Sequence, residues 1–529
     1  MRIALAQQNY TVGDIDGNTL KIIEAIERAK REGVELIIFP EQAISGLPAF
    51  DLLRKSTFLE LCEDALVQIA SICDGITALV GLPILTSKGT VSAAALIHDR
   101  QVLRYIGKKK ITARREMGFL VEGHGVESVT IAGHRFAVAV GDDVRNIQDL
   151  DPSVETILSL NARKYNKGAL TYRLEILRER AMVLRRNVVC VNLVGGATDL
   201  IYDGSSLIFN SRGELTLFMK NFSEDFAVYN LDDDNGGIKL ATVVSYNDRV
   251  RLLYKAAVMG IKDYFAKNNL DKACVGLSGG VDSALVATLA VSALGAHRVT
   301  GVMMPSAFTS SESIRDAEQL IKNLGIESKV LPIKDSYKAI TESVAQIIGG
   351  TEQDETEENI QARIRMITLA ALHDKHGYAV LNTSNKSENA LGLCTLYGDT
   401  AGAFCVVGDL YKSEVYDLAR YINKNYGNPI PEEILAKEPT SELSVGGGKR
   451  GGLPSYEVVD AILHRMIELE QHREEIVNAG FESDVVEKIH SMIMSSEKKR
   501  FQYPPVLRLS AYSFKHERLM PLTHNYGDN

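Results

Sequence analysis

Ala273-Cys274-Val275-Gly276-Leu277-Ser278-Gly279-Gly280-Val281-Asp282-Ser283 is the stretch on which the reading of this chain turns. An apolar run over 273–277 enters a Ser-Gly-Gly turn and a second, over 284–290, leaves it, a pattern that predicts strand, Gly-rich turn and helix. Adjacent glycines let the backbone turn tightly and approach a polyphosphate, while the free N–H groups opening the next helix face the anion. Ser278 and Ser283 add hydroxyl donors, and Asp282 has the chemistry to hold the Mg²⁺ that travels with a nucleotide. No Gly-Lys-Ser/Thr closes the turn, so the loop is not of the Walker type. A plain strand-to-helix turn built from common turn residues is the competing reading, and the rest of the chain must decide between them.

The chain has 529 residues, 45% hydrophobic and 24% charged, enough for two or more domains with substantial cores. A formal net charge of -9 argues against a general nucleic-acid surface. The apolar start at 1–6 is too short for a secretory signal, and no run of about 18 apolar residues offers a membrane span, so the expected setting is the cytoplasm with no membrane partner. Six cysteines, at 62, 73, 190, 274, 394 and 405, form no Cys-x-x-Cys pair and read as buried reduced thiols.

Working outward toward the start of the chain, the pattern predicts a strand over 3–7, a helix over 18–31 and a buried strand over 34–39 ending at Pro40-Glu41, which puts a carboxylate at a strand tip. Further strands are expected over 78–82, 93–98, 136–140, 156–160 and 188–194, with helices near 58–72 and 169–184. This alternation means an α/β domain with sheet packed on sheet and helices outside. Cys190, inside the 188–194 run, reads as an inert packed thiol. Lys108-Lys109-Lys110, followed by Arg114-Arg115, reads as a solvated loop, with anion binding as the alternative. From 231 to 237 the chain turns polar and Gly-rich, a linker that extends to about 247, and helical spacing resumes over 248–267.

Beyond the Gly-rich loop the expected order is strand 299–304, helix 311–324, strand 329–331, a helix from 337, strand 379–381 and helix 413–424. Repeated β-α units of this length predict a doubly wound parallel sheet with ligands at the carboxyl ends of its strands. The acidic run 352–358 reads as a mostly solvated helix start.

The loop resembles the pyrophosphate loop of ATP pyrophosphatases, enzymes that cut ATP between the α- and β-phosphates. Three more motifs follow in order: Glu357-Glu358-Asn359-Ile360-Gln361-Ala362-Arg363, Asn382-Thr383-Ser384-Asn385-Lys386-Ser387-Glu388 and Thr395-Leu396-Tyr397-Gly398-Asp399. Together the four resemble the NAD synthetase family over the whole second half. In the first half, Phe39-Pro40-Glu41 and Gly195-Gly196-Ala197-Thr198-Asp199-Leu200-Ile201-Tyr202-Asp203-Gly204-Ser205-Ser206 resemble the nitrilase superfamily, specifically the glutaminase domain of glutamine-dependent NAD synthetases. The resemblance implies a nitrilase-like α-β-β-α sandwich over 1–242 and a doubly wound ATP-pyrophosphatase domain over 243–529.

Residue by residue, it implies that Gly276, Leu277, Ser278, Gly279, Gly280, Val281, Asp282 and Ser283 cradle ATP, with Thr383 and Lys412 also touching it. Asp282 and Glu388 would hold Mg²⁺ as the catalytic acids, and Asn359, Arg363, Asp399, Lys498 and Lys499 would lie near deamido-NAD. For Asn359 and Arg363, one turn apart, a helix-bracing role is the alternative. In the glutaminase half, Glu41 matches the general base and Lys108 the oxyanion lysine, with Lys109 and Lys110 in the neighbouring registers; Glu116, Phe119 and Gly123 fit the residues that follow.

The resemblance breaks at the nucleophile. Where the family has Cys after a strand, this chain reads Val140-Gly141-Asp142-Asp143, and the family's Ser-Pro-Phe is replaced by Ala162-Arg163-Lys164 after Asn161. A third departure is Ser444-Val445-Gly446-Gly447-Gly448-Lys449-Arg450-Gly451-Gly452, where the family carries an acidic lid. The expectation is therefore an NAD synthase, a homo-oligomer using ATP, Mg²⁺, deamido-NAD and ammonia. Glutamine hydrolysis by an unrecognised nucleophile and a silent regulatory or assembly homologue are the alternatives.

Overall fold

Most strands of the first half are buried on both faces, and the layering explains why. The computed structural model of the protein describes residues 1–114, 116–233, 237–240, 242–243, 248–348, 354–438, 443 and 452–523. Its contacts divide the chain into two units, Met1–Arg249 and Val250–Asn529. In chain order the first contains β1 (Arg2–Gln7), α1 (Ile15–Arg31), β2 (Leu36–Ile38), α2 (Ser56–Ser71), β3 (Thr77–Thr86), β4 (Gly89–His98), β5 (Gln101–Gly107), β6 (Glu127–Ile131) and β7 (His134–Val140). It continues with β8 (Thr156–Asn161), α3 (Ala169–Leu184), β9 (Asn187–Asn192), β10 (Val194–Ala197), β11 (Leu200–Asp203), β12 (Leu207–Phe209), β13 (Leu215–Phe218) and β14 (Asp225–Asn230).

Two six-stranded sheets form, ordered β14-β1-β2-β3-β4-β5 and β13-β12-β9-β8-β7-β6. Leu5, Ile38 and Leu79 of the first meet Val138, Leu158 and Val189 of the second in one core. The opposite faces of the first sheet's strands, at Ile37 and Ala78, pack with Ile22 and Ile26 of α1 and Leu59 and Leu66 of α2. With α3 beside β9 and β12, the order of layers is α-β-β-α. The strands β1, β2, β3, β4, β7, β8 and β9 thus bury both rows of side chains along most of their length, each large aliphatic adding roughly 1.5–3 kcal/mol. The run expected as one strand over 188–194 is two, β9 and β10, because Leu193 breaks out to donate its N–H to the Asn161 carbonyl at 3.0 Å.

The second unit opens on α4 (Arg249–Lys267), then β15 (Ala273–Gly276), α5 (Val281–Leu294), β16 (Val299–Met303), α6 (Ser311–Leu324), β17 (Glu327–Val330), α7 (Lys334–Ile348), α8 (Glu355–His376) and β18 (Ala379–Asn382). After them come α9 (Lys386–Leu391), β19 (Phe404–Cys405), α10 (Lys412–Asn425), α11 (Glu432–Ala436), α12 (Tyr456–Ile467), α13 (Arg473–Asn478), α14 (Ser483–Ser495) and α15 (Glu497–Arg500). Its five strands are all parallel, in the order β17-β16-β15-β18-β19. From β15 the chain moves outward one way through β16 and returns on the other side at β18, so a crevice opens at the carboxyl end of β15. Ala390 and Leu391 of the short α9 are held by Val459, Ile462, Ile489 and Ile493 of α12 and α14.

Two details differ from expectation. Lys108 is buried and not part of a solvated loop, whereas Lys109 and Lys110 are exposed. Glu357, expected on a solvated helix start, is 4% exposed, because its carboxylate turns back to accept the Asp354 N–H in a capping box. All six cysteines are buried and unbridged. Among the described residues no helix is long and apolar enough to cross a membrane.

Candidate active site

At the end of β15 the Leu277 N–H still donates to the Val302 carbonyl, and the chain then turns through Ser278-Gly279-Gly280. Gly279 has φ +79°, and a Cβ there would stand 2.4 Å from the Ser313 carbonyl oxygen and 2.8 Å from its Cα. Only glycine satisfies both constraints, and so the loop lies flat on the first turn of α6. Gly279→Ala is expected to cost about 1–3 kcal/mol of stability by chemical denaturation. Gly280→Ala, whose Cβ would meet only Ser278 Oγ at 3.3 Å, is the mild control. Ser283 Oγ accepts the Ser278 N–H and donates to the Gly280 carbonyl, fixing the loop's shape. Gly280 caps α5 with no side chain, which leaves the helix's first N–H groups and its positive dipole end facing the crevice.

Asp282, in the first turn of α5, is the meeting point of three elements. Asn385, the N-cap of α9, donates its amide to Asp282 Oδ1 at 2.9 Å and accepts the Glu388 N–H at 3.0 Å. Lys412, opening α10, ion-pairs with Asp282 Oδ2 and stands 3.9 Å from Glu388 Oε1. Burial and the nearby Asp282 charge push Glu388 up to about 7, against the pull of Lys412. Burial alone would lower Lys412, yet Asp282 and Glu388 hold it above the usual lysine range. Asp460 of α12 sets the spacing, taking the Ser387 hydroxyl at 2.5 Å and the Ser413 N–H at 2.8 Å.

A second cluster surrounds the 395–399 loop. Thr395 Oγ1 donates to Asn359 Oδ1 at 2.5 Å, and Arg363 Nε donates to the Leu396 carbonyl at 3.1 Å. Asn359 and Arg363 therefore clamp this loop onto α8 and do not cap their own helix. Burial raises Asp399 to about 6, although the Thr395 N–H and Lys499 draw it down. Lys499 Nζ is bonded to the Gly392 and Cys394 carbonyls at 2.8 Å each, while Lys498 is exposed. Thr383, partly buried, directly follows β18. Lys449 and Arg450 lie outside the described residues.

The first unit holds its own buried charge cluster. Glu41, just past β2, accepts Ser92 Oγ at 2.9 Å and Lys108 Nζ at 3.0 Å on one oxygen, and Lys108 reaches both Glu116 oxygens at 3.0 and 2.9 Å. Asp143 accepts the Lys109 and Lys110 N–H groups at 2.9 and 2.8 Å, which orients the lysine run so that Lys108 points inward. Gly141, with φ +61° at the end of β7, faces this cluster: a Cβ there would lie 2.9 Å from Lys108 Nζ and 3.1 Å from Glu41 Oε2. Cys190 is far from reactive in character, because burial pushes its thiol up to about 11.

Residues 253–503 match the family described as NAD synthase, and residues 2–87 the family described as carbon-nitrogen hydrolase. The glutamine-dependent NAD(+) synthetase of Thermotoga maritima is 36% identical over 100% of this chain and 99% of the relative, and that of Acinetobacter baylyi 34% identical over 99% and 98%. The chain belongs to the NAD synthetase family. The solved glutamine-dependent NAD(+) synthetase of Acinetobacter baumannii, in complex with adenosine diphosphate, superposes with TM-score 0.76 at 34% identity over 98% of each chain. That from Cytophaga hutchinsonii shares the fold, with TM-score 0.87 at 19% identity over 99% of this chain and 98% of that one. NAD synthetases are ligases that form a C–N bond and take ATP as a substrate.

Within this NAD synthetase fold, sequence reasoning missed the residues that hold the acids in place. Asn385 was readable as the first member of an Asn-x-x-Glu capping box, the local signal for an N-cap. Lys386, 0% exposed, was not: it is bonded to Glu468 at 2.9 Å, Ser510 Oγ at 2.8 Å and the Tyr512 carbonyl at 2.9 Å, and lies 3.2 Å from Asp409. Asp460 likewise carried no signal, because its partners are 73 and 47 positions away.

Proposed function

We propose that this chain makes NAD from deamido-NAD, ATP and ammonia. The observation that carries the reading is the convergence of Asp282, Glu388 and Lys412 at the mouth of a Gly-rich loop whose helix N-terminus is uncapped. The nicotinate carboxylate attacks the α-phosphorus; the bond to the bridging oxygen breaks, and pyrophosphate leaves with the electron pair. Ammonia then adds to the acyl carbon of the adenylate and loses a proton as AMP departs, leaving the amide. In the first step the N–H groups of the first turn of α5 donate to phosphate oxygens, and Lys412 offsets the charge that builds on them.

Asp282 and Glu388 fit a magnesium ion. They are close enough for the Asp282 charge to raise the proton affinity of Glu388, and the described residues contain no cluster of three or more His, Cys, Asp or Glu that would make an all-protein cage. Mg²⁺ prefers such a site, one or two carboxylates with the remaining positions left to phosphate and water, and it would neutralise phosphate charge there. We assign Thr383 to ATP, and Asn359, Arg363, Asp399, Lys498 and Lys499 to the dinucleotide.

Ammonia is preferred over glutamine because of Gly141. Where the cluster of Glu41 and Lys108 would need a thiol there is only a backbone, and Lys108 is fully engaged between two glutamates. Glu41 and Lys108 are then the remnant of a glutaminase. The implied setting is a cytoplasmic homo-oligomer acting on small molecules. With Mg²⁺, deamido-NAD and ATP supplied, ammonium is expected to support NAD formation, while ammonia-free glutamine leaves it at background with no glutamate released. Equal rates on the two nitrogen sources would overturn the ammonia reading, and no NAD with either would overturn the synthase.

A further inference from the structure

Two helices bring charge to Asp282 from outside its own element: α9 carries Glu388, and α10 opens on Lys412. Their first residues are tied to one another twice. The Lys386 N–H donates to the Leu410 carbonyl at 2.7 Å, and in return the Lys412 N–H donates to Ser387 Oγ at 2.9 Å. That same hydroxyl donates to Asp460 Oδ1 at 2.5 Å, and Asp460 Oδ2 accepts the Ser413 N–H at 2.8 Å. Ser387 is 0% exposed and Asp460 5%, so these bonds are made where water does not compete for them.

Asp460 takes its place from α12, whose Val459, Ile462 and Leu463 share a core with Ala390 and Leu391 of α9. Tyr456, one turn earlier on α12, lies under the Lys412 ammonium, with 5.6 Å from Nζ to the ring centroid. Lys412 is thus gripped at both ends, by its backbone and by its side chain. The N-terminus of α10 is spent in the process, because its first two N–H groups go to Ser387 and Asp460. α5 has no such side-chain cap. Of these two helix starts, α5 is left to phosphate and α10 contributes its lysine.

We infer that Ser387 is a positioning residue for the first chemical step: by accepting from Lys412 and donating to Asp460, its hydroxyl fixes where the Lys412 ammonium stands against Asp282, Glu388 and the phosphate under attack. This rests on the synthase reading above. Ser387 keeps its proton and forms no bond to substrate. A displacement of about 1 Å at the start of α10 moves the charge that offsets the building negative charge, while the Gly-rich loop and α5 stay in place, so rate suffers and binding does not. The bond from Lys386 to Leu410 survives loss of the hydroxyl and keeps the two helices attached.

The test separates binding from chemistry in the full chain with Mg²⁺. Pyrophosphate release in a single turnover on deamido-NAD and ATP, without ammonium, reads the first step, and calorimetry with α,β-methylene-ATP reads affinity. Ser387→Ala is expected to slow pyrophosphate release by about tenfold to a hundredfold and to change the affinity by no more than about threefold. Asp460→Asn, which keeps the side chain's shape but accepts only one of the two bonds, is expected to behave alike. The double variant is expected within about threefold of the slower single, because the two side chains act as one unit. Should Ser387→Ala not fold, Asp460→Asn is judged by the same split. Affinity lost in step with rate, or losses that multiply in the double variant, overturns the assignment. An unaltered chain that releases no pyrophosphate overturns the synthase reading itself, whereas release that Ser387→Ala leaves intact overturns the positioning role alone.

Discussion

Asp282→Asn is expected to lower NAD formation from ammonium by about a thousandfold or more, with the thermal midpoint nearly unchanged. The substitution keeps the shape of the side chain, and a flipped amide can still accept the Asn385 Nδ2–H bond that now ends on Oδ1. What it removes is a charge. Lys412 loses its ion-pair partner at Asp282 and is left facing Glu388 alone, 3.9 Å away. Glu388 in turn is relieved of the neighbouring carboxylate that helps push it up to about 7, and is expected to titrate lower. In the proposed site both acids together hold a cation between phosphates, and one carboxylate with a displaced lysine would offer no equivalent site. Steady-state AMP and NAD release, measured together, check the prediction; turnover matching the unaltered chain would remove the assigned role of this loop.

Lys108→Met is expected to destabilise the first unit by about 3–5 kcal/mol, read from its urea transition. Lys108 is 5% exposed and neutralises two glutamates that are themselves buried, Glu41 at 2% and Glu116 at 8%. Burial on its own would lower the lysine, and the two carboxylates overcome that and raise it. Removing the ammonium leaves two like charges with no counter-ion in a closed site. The fully neutral combination Glu41→Gln, Lys108→Met and Glu116→Gln is expected to lose less stability than the single substitution, because no uncompensated charge remains. A single Lys108→Met that is as stable as the unaltered chain would mean that the cluster is not the closed ion-pair network described.

The loop around Gly279 and Asp282 was legible because its constraints are local: a turn that only glycine permits, an uncapped helix start and an acid in the first turn are all encoded within a few residues. The same holds for the α-β-β-α layering, which the long apolar strands already imply. What escaped the sequence was long-range. The inward direction of Lys108 within three consecutive lysines depends on Asp143, 34 positions from Lys109, holding the next two backbones. The clamp of Asn359 and Arg363 on the 395–399 loop joins segments 36 and 33 positions apart. The half-exposed strands β5, β13 and β14 lack the continuous apolar run that made β3 and β8 readable.

Lys386 sits two residues before Glu388, and two of its partners, Ser510 and Tyr512, follow it by 124 and 126 positions. At a synthesis rate of 5–20 residues per second, about 6–25 seconds separate the lysine from the groups that satisfy it. During that interval the helix bearing Glu388 has no complete seat for its buried ammonium. A nascent chain can therefore carry the whole phosphate loop and still lack a finished place for the acid that works beside it. The seat of the helix that bears Glu388 is therefore complete only once residues 510–512 are in place.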